Sequence, residues 1–201
     1  MTEPTGSGEQ AADAARSATP RGLDPSWSRD GVETTQLEPG QPPDVAHLPE
    51  GVRRMLTAAA ARGLAVEVRP RPRATSLQEA AALLGITPAE IAKTLVLRRS
   101  GDQYLYAVIG GDTQLAWPRL RAVVGVNKMT LPDAAAALAA TGYERGTITP
   151  VGALGDWPVY IDQRLVGRRV AMGSGAHAYG AFLEIDDLTD AYAATIADIA
   201  D

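Results

Sequence analysis

The hydrophobic pattern of this 201-residue chain starts only near Leu48, which confines any folded core to the residues that follow. Residues 1–47 are rich in glycine, proline, serine, threonine and acidic residues, and Trp27 is their only aromatic residue. A segment of this composition buries too little apolar surface to offset the entropy cost of ordering. We therefore expect a disordered, acidic, Pro- and Gly-rich leader over 1–47 and one folded domain over 48–201.

The formal net charge of -5 also belongs to the leader, which carries eight acidic residues and three arginines. The residues from 48 onward hold 16 acidic and 16 basic side chains, so they are neutral as a whole. Their arginines cluster in five places: Arg53-Arg54, Arg69-Pro-Arg71-Pro-Arg73, Arg98-Arg99, Arg119/Arg121 and Arg168-Arg169. These clusters are compatible with local positive patches and equally with arginines spread over a solvated surface, and spacing alone does not decide.

Residue counts exclude several classes of site. The chain has no cysteine, which removes disulfides, thiolate metal sites and cysteine nucleophiles. His177 is the only histidine of the predicted domain, so a zinc site of several histidines lacks ligands, and we expect no metal or other cofactor. No apolar run approaches the length of about 20 residues that spans a bilayer, and the N-terminus lacks a secretion signal. We expect a soluble, cytoplasmic protein without a membrane partner.

Hydrophobic spacing and capping residues predict the helices. Ser76–Glu79 and Thr87–Glu90 have the capping-box pattern that opens short helices, and Gly85 suits the left-handed residue that ends the first of them. The predicted α-helices cover 52–63, 80–84, 118–124, 132–140 and 187–199.

Short runs of apolar and β-branched residues predict strands between these helices. They cover 64–68, 93–97, 104–109, 159–161, 169–172 and 181–185, and the second and third are expected to pair across the turn at 100–102. Strands neither alternate strictly with helices nor gather at one end of the sequence. We therefore predict an α+β fold, with a curved, mixed, barrel-like β-sheet surrounded by helices.

Lys93 is a candidate functional residue. Lysine occurs in the predicted domain only at 93 and 128, and Lys93 stands where a short helix runs into a strand. It is either a surface lysine whose stem covers apolar neighbours, or an ammonium that holds a phosphate or a developing negative charge.

Two glycine-containing loops are further candidates. Gly146–Pro150 would let the backbone approach a ligand, and Gly173–Gly175 would offer backbone N–H donors beside a hydroxyl and the His177 imidazole. Tight turns between strands are the ordinary alternative for both. Ser174 and His177 suggest a hydrolase pair, but their spacing in a Gly-rich turn does not guarantee contact, and the flanking sequence lacks a nucleophile elbow.

Four stretches, taken in order, resemble the YbaK/ProX-type family, the free-standing relatives of the editing domain in bacterial prolyl-tRNA synthetases. They are Ala80–Gly85 followed by Ile91–Leu97, Gly142–Gly152, Val159–Asp162, and Met172–His177. The resemblance covers about residues 50 to 200. It implies hydrolysis of the ester that joins a wrong amino acid to transfer RNA, with a small substrate, alanine or cysteine on tRNA-Pro.

The resemblance also implies residue roles and partners. Lys93 corresponds to the family's lysine that holds the acceptor end, and Gly146 to the glycine that bounds the aminoacyl pocket; both are expected to be catalytic. The residues expected to bind substrate are Thr94, Pro150, Gly173, Ser174, Gly175 and His177. The expected partners are the acceptor end of transfer RNA and a prolyl-tRNA synthetase.

Two other functions stay open from the sequence. The same pocket could bind an aminoacyl-tRNA or aminoacyl-nucleotide without hydrolysing it, as an accessory to a synthetase. Alternatively, the chain could be an interaction protein whose acidic leader carries the function, in which case the glycine loops are turns only. An aminoacyl ester is already activated, so the editing reaction needs positioning and an oxyanion donor but no protein nucleophile.

Overall fold

A computed structural model describes the backbone of residues 35–37 and the whole of residues 45–201. Thr35–Leu37 forms strand β1, although it lies inside the predicted leader, and it pairs antiparallel with the strand that begins at Val66. The sequence pattern did not foresee this strand. The remaining residues of 1–44, where most of the predicted disorder falls, lie outside the described residues.

The described residues contain five α-helices. They are α1 (Glu50–Ala61), α2 (Leu77–Leu84), α3 (Trp117–Val124), α4 (Ala134–Thr141) and α5 (Ile185–Tyr192). The start of α2 follows the sequence closely, since the Ser76 hydroxyl accepts the N–H of Glu79 and Gly85 ends the helix with a φ of 74°. The Glu79 carboxylate reaches one residue further back than a capping box predicts and accepts the N–H of Thr75 at 2.7 Å.

Eight strands of the described residues form two four-stranded sheets, in the orders β1-β2-β7-β6 and β3-β4-β5-β8. The strands after β1 are β2 (Val66–Pro70), β3 (Ala92–Arg98), β4 (Tyr104–Gly110), β5 (Val159–Asp162), β6 (Arg169–Met172), β7 (Tyr179–Glu184) and β8 (Thr195–Ala197). The first sheet is antiparallel. The second is mixed, with β4, β5 and β8 parallel and β3 antiparallel. The α+β class is thus confirmed.

The barrel-like form of the sheet is not confirmed, since the described strands form two four-stranded sheets and no closed barrel is found among them. In the described residues the edges of the two sheets are joined by one parallel bridge, between Ile91 and Ala171. After β6 the chain turns toward residues 147–148, where the N–H of Gly175 donates to the Thr147 carbonyl at 2.9 Å. Since β6 does not continue alongside β3, a gap opens between the two edges.

The predicted helix over 187–199 is wrong in its second half. Helix α5 ends at Tyr192, Ala193 adopts a left-handed φ of 45°, and β8 then pairs in parallel with β5. The β-branched pair Thr195-Ile196 suits a strand, and a neighbouring strand edge was available to pair with it. Tertiary pairing therefore overrode the helical preference of the alanines around it.

Strand β4 divides the core into two layers because both of its faces are buried. Tyr104, Tyr106 and Val108 pack into the larger layer between the sheets, where the apolar face of α1 also lies. The alternate residues of β4 pack into the second layer, under α3 and the C-terminal residues. No helix within residues 45–201 is long and apolar enough to cross a membrane.

Asp162 fastens the C-terminal segment to the end of β5. Its side chain is 1% exposed, and the carboxylate accepts the N–H groups of Arg164 at 3.0 Å and of Ile199 at 3.1 Å. Both donors lose their partner if the carboxylate is removed, and a buried donor without a partner is costly.

We predict that Asp162→Ala lowers the free energy of unfolding by about 2 to 4 kcal/mol, measured by urea denaturation. Asp156→Ala is the control, because that carboxylate is 90% exposed and its ion-pair partner within residues 45–201 is the surface side chain of Arg62. The control should change stability by less than about 0.5 kcal/mol. Equal effects of the two substitutions would contradict the assigned role of Asp162.

Candidate functional site

The gap between the two sheets forms a cleft of about 690 Å³. Its floor is the free edge of β3, from Ala92 to Val96. The segment between β2 and α2 lines one side, and the start of α4 lines the other. Gly146, Gly173 and His177 lie at one end, so the cleft brings together residues that are far apart in the sequence.

Lys93 lines the cleft at the start of β3, following the 3₁₀ turn Pro88–Glu90. The helix-to-strand junction predicted for it is therefore present. Its ammonium donates to the Thr113 carbonyl at 2.5 Å, which uses one of three donors. Burial lowers the pKa of Lys93 from its ordinary value, and the nearby Asp112 carboxylate opposes that shift in part. A half-buried ammonium with donors to spare is suited to binding an anion.

Thr94 also lines the cleft, on the opposite face of β3 from Lys93. Its hydroxyl is buried and finds no hydrogen-bond partner in the described part of the protein. The backbone beside it is free on one side. The N–H and carbonyl of Arg98 point away from β4 and bond to Thr130. Backbone groups in a strand alternate in direction from one residue to the next, so the N–H and carbonyl of Thr94, four residues earlier, also point away from β4, toward the cleft.

Gly146 and His177 face each other at the end of the cleft. Gly146 has a φ of 91°, and a Cβ placed on it would lie 3.5 Å from Cε1 of the His177 ring. The Gly146 N–H makes no hydrogen bond within the described residues. His177 is held from outside by Glu144, whose carboxylate lies 3.0 Å from Nε2. The imidazole therefore borders the space beside Gly146, at van der Waals distance from where a side chain would begin.

Gly173 lies where two loops touch backbone to backbone. A Cβ on Gly173 would lie 2.3 Å from the Ile148 carbonyl oxygen and 2.5 Å from that of Thr147, closer than atoms can approach. Glycine is therefore required there by contact. The family resemblance implied that the two loops belong to one pocket, and in the structure their backbones are in contact.

Three of the expected substrate-binding residues lie behind the cleft lining. Ser174 is 0% exposed, and its hydroxyl faces the carbonyls of Ala176 and Tyr179 at 3.1 and 2.9 Å. Pro150 is buried, and Gly175 packs against Gly51 of α1. These residues shape the loops that carry Gly146 and Gly173.

Arg54 fixes the loop that contains Gly146, which sequence reasoning did not detect. Its guanidinium donates to the carbonyls of Gly142 and Gly152, each at 2.7 Å, and stacks 4.3 Å from the centroid of the Tyr143 ring. The sequence grouped this arginine with a surface patch. An i, i+1 arginine pair on an amphipathic helix gives no signal that one member turns inward.

The cleft is positively charged although the chain is acidic overall. Its charged lining residues are Arg71, Arg73, Lys93, Arg145 and Asp133. The one acid among them is engaged, since the Asp133 carboxylate accepts the N–H of Ala136 as the N-cap of α4. Of the basic residues, only Lys93 was singled out from the sequence; the others were part of arginine clusters or unremarked.

Few reactive groups face the cleft. His177 bonds to Glu144 and to no serine or threonine in the described residues, so it activates no hydroxyl there. Within the same residues no three His, Asp or Glu side chains gather closely enough to hold a metal ion. The arrangement can bind and orient an anionic substrate and stabilise negative charge.

Comparisons with known proteins agree with this geometry. The aminoacyl-tRNA editing domain model matches residues 71–191. The uncharacterized protein YwhH of Bacillus subtilis (strain 168) is 33% identical over 91 residues, 45% of this chain and 57% of that protein. The proline-tRNA ligase of Desulfovibrio desulfuricans (strain ATCC 27774) is 32% identical over 124 residues, 62% of this chain and 21% of that enzyme.

A solved structure is similar over nearly its whole length. It is described as a "putative trans-editing enzyme for prolyl tRNA synthetase", and it shares a TM-score of 0.70 and 24% identity over 77% of this chain and 99% of that chain. At this identity the likeness establishes the fold. The chain spans little more than half of the Bacillus relative and about a fifth of the ligase.

The matched residues 71–191 make up more than half of the chain and contain Lys93, Gly146 and His177, three groups that line the cleft. The family resemblance inferred from the sequence is thereby confirmed, and the chain belongs to the aminoacyl-tRNA editing domain family.

Proposed function

We propose that this protein is a trans-editing deacylase that hydrolyses the ester between a small amino acid, alanine or cysteine, and tRNA-Pro. The observation that carries the proposal is the meeting of the Lys93 ammonium, the unbonded Gly146 N–H and the His177 ring in one positively charged cleft. The family supports ester hydrolysis, and the likeness to part of a proline-tRNA ligase supports the choice of transfer RNA.

The proposed mechanism needs positioning more than reactive side chains. Lys93 holds the negatively charged acceptor end so that the ester lies over the end of the cleft. The Gly146 N–H donates to the carbonyl oxygen as it gains negative charge. A water oxygen attacks the carbonyl carbon, the bond to the ribose oxygen breaks, and that oxygen takes a proton. The products are the free amino acid and an intact transfer RNA.

Selection of a small amino acid follows from the size of the space beside Gly146. We place the aminoacyl side chain beside Gly146, where the His177 ring, bonded to Glu144, borders the space and limits its size. A methylene-scale difference in a tight pocket discriminates by roughly 1 to 3 kcal/mol. In this proposal a small side chain enters the space and the proline ring is excluded.

We predict that Lys93→Ala lowers the rate of alanyl-tRNA-Pro hydrolysis roughly 30- to 1000-fold, which corresponds to about 2 to 4 kcal/mol of transition-state stabilisation. The reason is the loss of the charge that positions the acceptor end. Single-turnover assays with the mischarged transfer RNA measure it.

Lys128→Ala is the matched control for this prediction. It removes the only other lysine of the described residues, one that is exposed and does not line the cleft. It should leave the rate unchanged. A folded Lys93→Ala protein with wild-type activity would show that the lysine has no role in catalysis. Binding of the transfer RNA without any hydrolysis by the wild-type protein would favour a binding module instead.

We predict that His177→Ala makes the cleft less selective, because it removes the ring that borders the space beside Gly146. The ratio of kcat/KM for prolyl-tRNA to that for alanyl-tRNA should rise about tenfold or more. His47→Ala, an exposed histidine outside the cleft, should leave the ratio unchanged. An unaltered ratio in a folded His177→Ala protein would remove His177 from substrate selection.

Gly146→Ala is a less selective probe of the same pocket. With a φ of 91°, an alanine there is strained whatever the space around it, so stability and all activities are expected to fall together. The histidine substitution separates pocket size from backbone strain.

A further inference from the structure

The sequence run Arg69-Pro-Arg71-Pro-Arg73 is divided by the fold into two functionally different parts. Arg69 pairs with Glu67 at 2.6 Å and stacks 4.1 Å from the centroid of the Phe182 ring. The hydrogen bond from Arg69 lowers the pKa of Glu67 despite its partial burial. This first arginine is therefore neutralised on the outer face of the β2-β7 pair.

Arg71 lines the cleft and has no carboxylate bonded to it in the described residues. Its backbone N–H donates to the Ala178 carbonyl at 2.8 Å, next to His177, and this bond fixes where the arginine enters the cleft. The guanidinium makes one hydrogen bond, to the Pro72 carbonyl at 2.9 Å, and its Nε is buried without a partner. The Arg71 guanidinium is thus a partly buried positive charge, and most of its N–H donors have no protein partner in the described residues.

The acid that acts electrostatically on Arg71 is already engaged elsewhere. Burial lowers the pKa of Arg71, and the Glu79 carboxylate opposes that shift in part. However, the Glu79 carboxylate accepts both the N–H and the hydroxyl of Thr75, each at 2.7 Å. In the described residues no carboxylate is therefore bonded to Arg71, and the Glu79 charge attracts it only from a distance.

Arg73 lines the same side of the cleft and is exposed. It makes no hydrogen bond or ion pair with residues 45–201. Proline before each of the two arginines restricts the backbone of this segment, so both guanidinium groups are presented from a stiff support. A planar guanidinium with free donors matches the oxygens of a phosphate in pairs.

We propose that Arg71 and Arg73 form a subsite for the phosphodiester groups that precede the terminal nucleotide of the acceptor strand. This inference rests on the proposed function and adds to it the means by which the protein recognises RNA beyond the aminoacyl end. Lys93 serves the terminal nucleotide on the floor of the cleft, and the two arginines hold the strand along one rim. The subsite supplies affinity for RNA and takes no part in bond breaking.

The first test is direct binding, which does not depend on hydrolysis. An uncharged RNA minihelix with a single-stranded 3′ end is titrated with protein at several salt concentrations, and its fluorescence anisotropy is followed. The double variant Arg71→Gln/Arg73→Gln should bind about tenfold or more weakly. The slope of log affinity against log salt should shrink by about 1.4, since each phosphate contact to a single strand contributes roughly 0.7.

The matched control is Arg53→Gln/Lys128→Gln, which removes two positive charges from exposed residues outside the cleft. It should reduce neither the affinity nor the salt slope to the same extent. Equal losses in both double variants would show a general charge effect and overturn the subsite, as would failure of the wild-type protein to bind the minihelix.

The second test separates binding from chemistry. On the alanyl ester of the minihelix, the Arg71→Gln/Arg73→Gln protein should show a KM raised about tenfold or more and an unchanged kcat. On alanyl-adenosine, which lacks the phosphates concerned, both constants should equal those of wild type. A lower kcat on alanyl-adenosine would place the arginines in the chemistry and contradict the inference.

The outcomes distinguish this inference from the proposed function. Arginine-dependent RNA binding without hydrolysis of any ester would support the subsite and reject the deacylase. Hydrolysis of the minihelix ester with wild-type KM in the double variant would support the deacylase and reject the subsite. If the double variant unfolds, Arg73→Gln alone serves both tests, because that exposed side chain holds nothing in place within the described residues.

Discussion

Contact between backbones at glycine residues holds the end of the cleft together. Gly175 packs against Gly51 at the start of α1, where a Cβ on Gly51 would lie 2.1 Å from the Gly175 carbonyl oxygen. Two residues earlier, Gly173 touches the carbonyls of the loop that carries Gly146. Three segments that are distant in sequence thus meet without side chains between them. The contact of Gly173 with the neighbouring loop therefore fixes both Gly146 and His177, which face each other at the end of the cleft.

The same contact explains why the strands form two sheets rather than one. The loop after β6 is drawn toward residues 147–148, so β6 leaves the edge of β3 after a single bridge. A continuous sheet would have paired the free edge of β3 and filled the cleft. The division leaves strand backbone, a lysine and a threonine lining a space that a ligand can enter.

The distribution of positive charge depends on which arginines are bonded to carbonyls or carboxylates and which are not. The Arg54 guanidinium donates to two loop carbonyls, and the Arg69 guanidinium pairs with Glu67. Arg119 and Arg164 pair with acids of the C-terminal segment. The arginines that line the cleft form no ion pair with a carboxylate in the described residues, and the Arg71 guanidinium bonds only to the carbonyl of the neighbouring Pro72. A chain with a net charge of -5 can therefore present a basic cleft, because affinity for a polyanion depends on local charge.

Local sequence was sufficient for features that depend on a few neighbouring residues. It determined the starts of α2 and the 3₁₀ turn through their caps and the β3-β4 hairpin through its two apolar runs, and it singled out Lys93 as a candidate through the rarity of lysine. The ordered motifs within 80–97, 142–152, 159–162 and 172–177 were enough to identify the family. These features can be predicted from the sequence because caps, turns and strand alternation depend on only a few neighbouring residues.

Only the tertiary structure decided the features that depend on contacts between distant segments. The C-terminal strand formed because β5 offered an edge, although the local alanines favour helix. Among similar arginines, it distinguished Arg54, which turns inward to two loop carbonyls, from Arg71, whose buried Nε has no hydrogen-bond partner in the described residues. It also separated the glycine loops into residues that face the cleft and residues that pack behind it. Sequence spacing carries no information about which partners are near in space, and burial and pairing are properties of those partners.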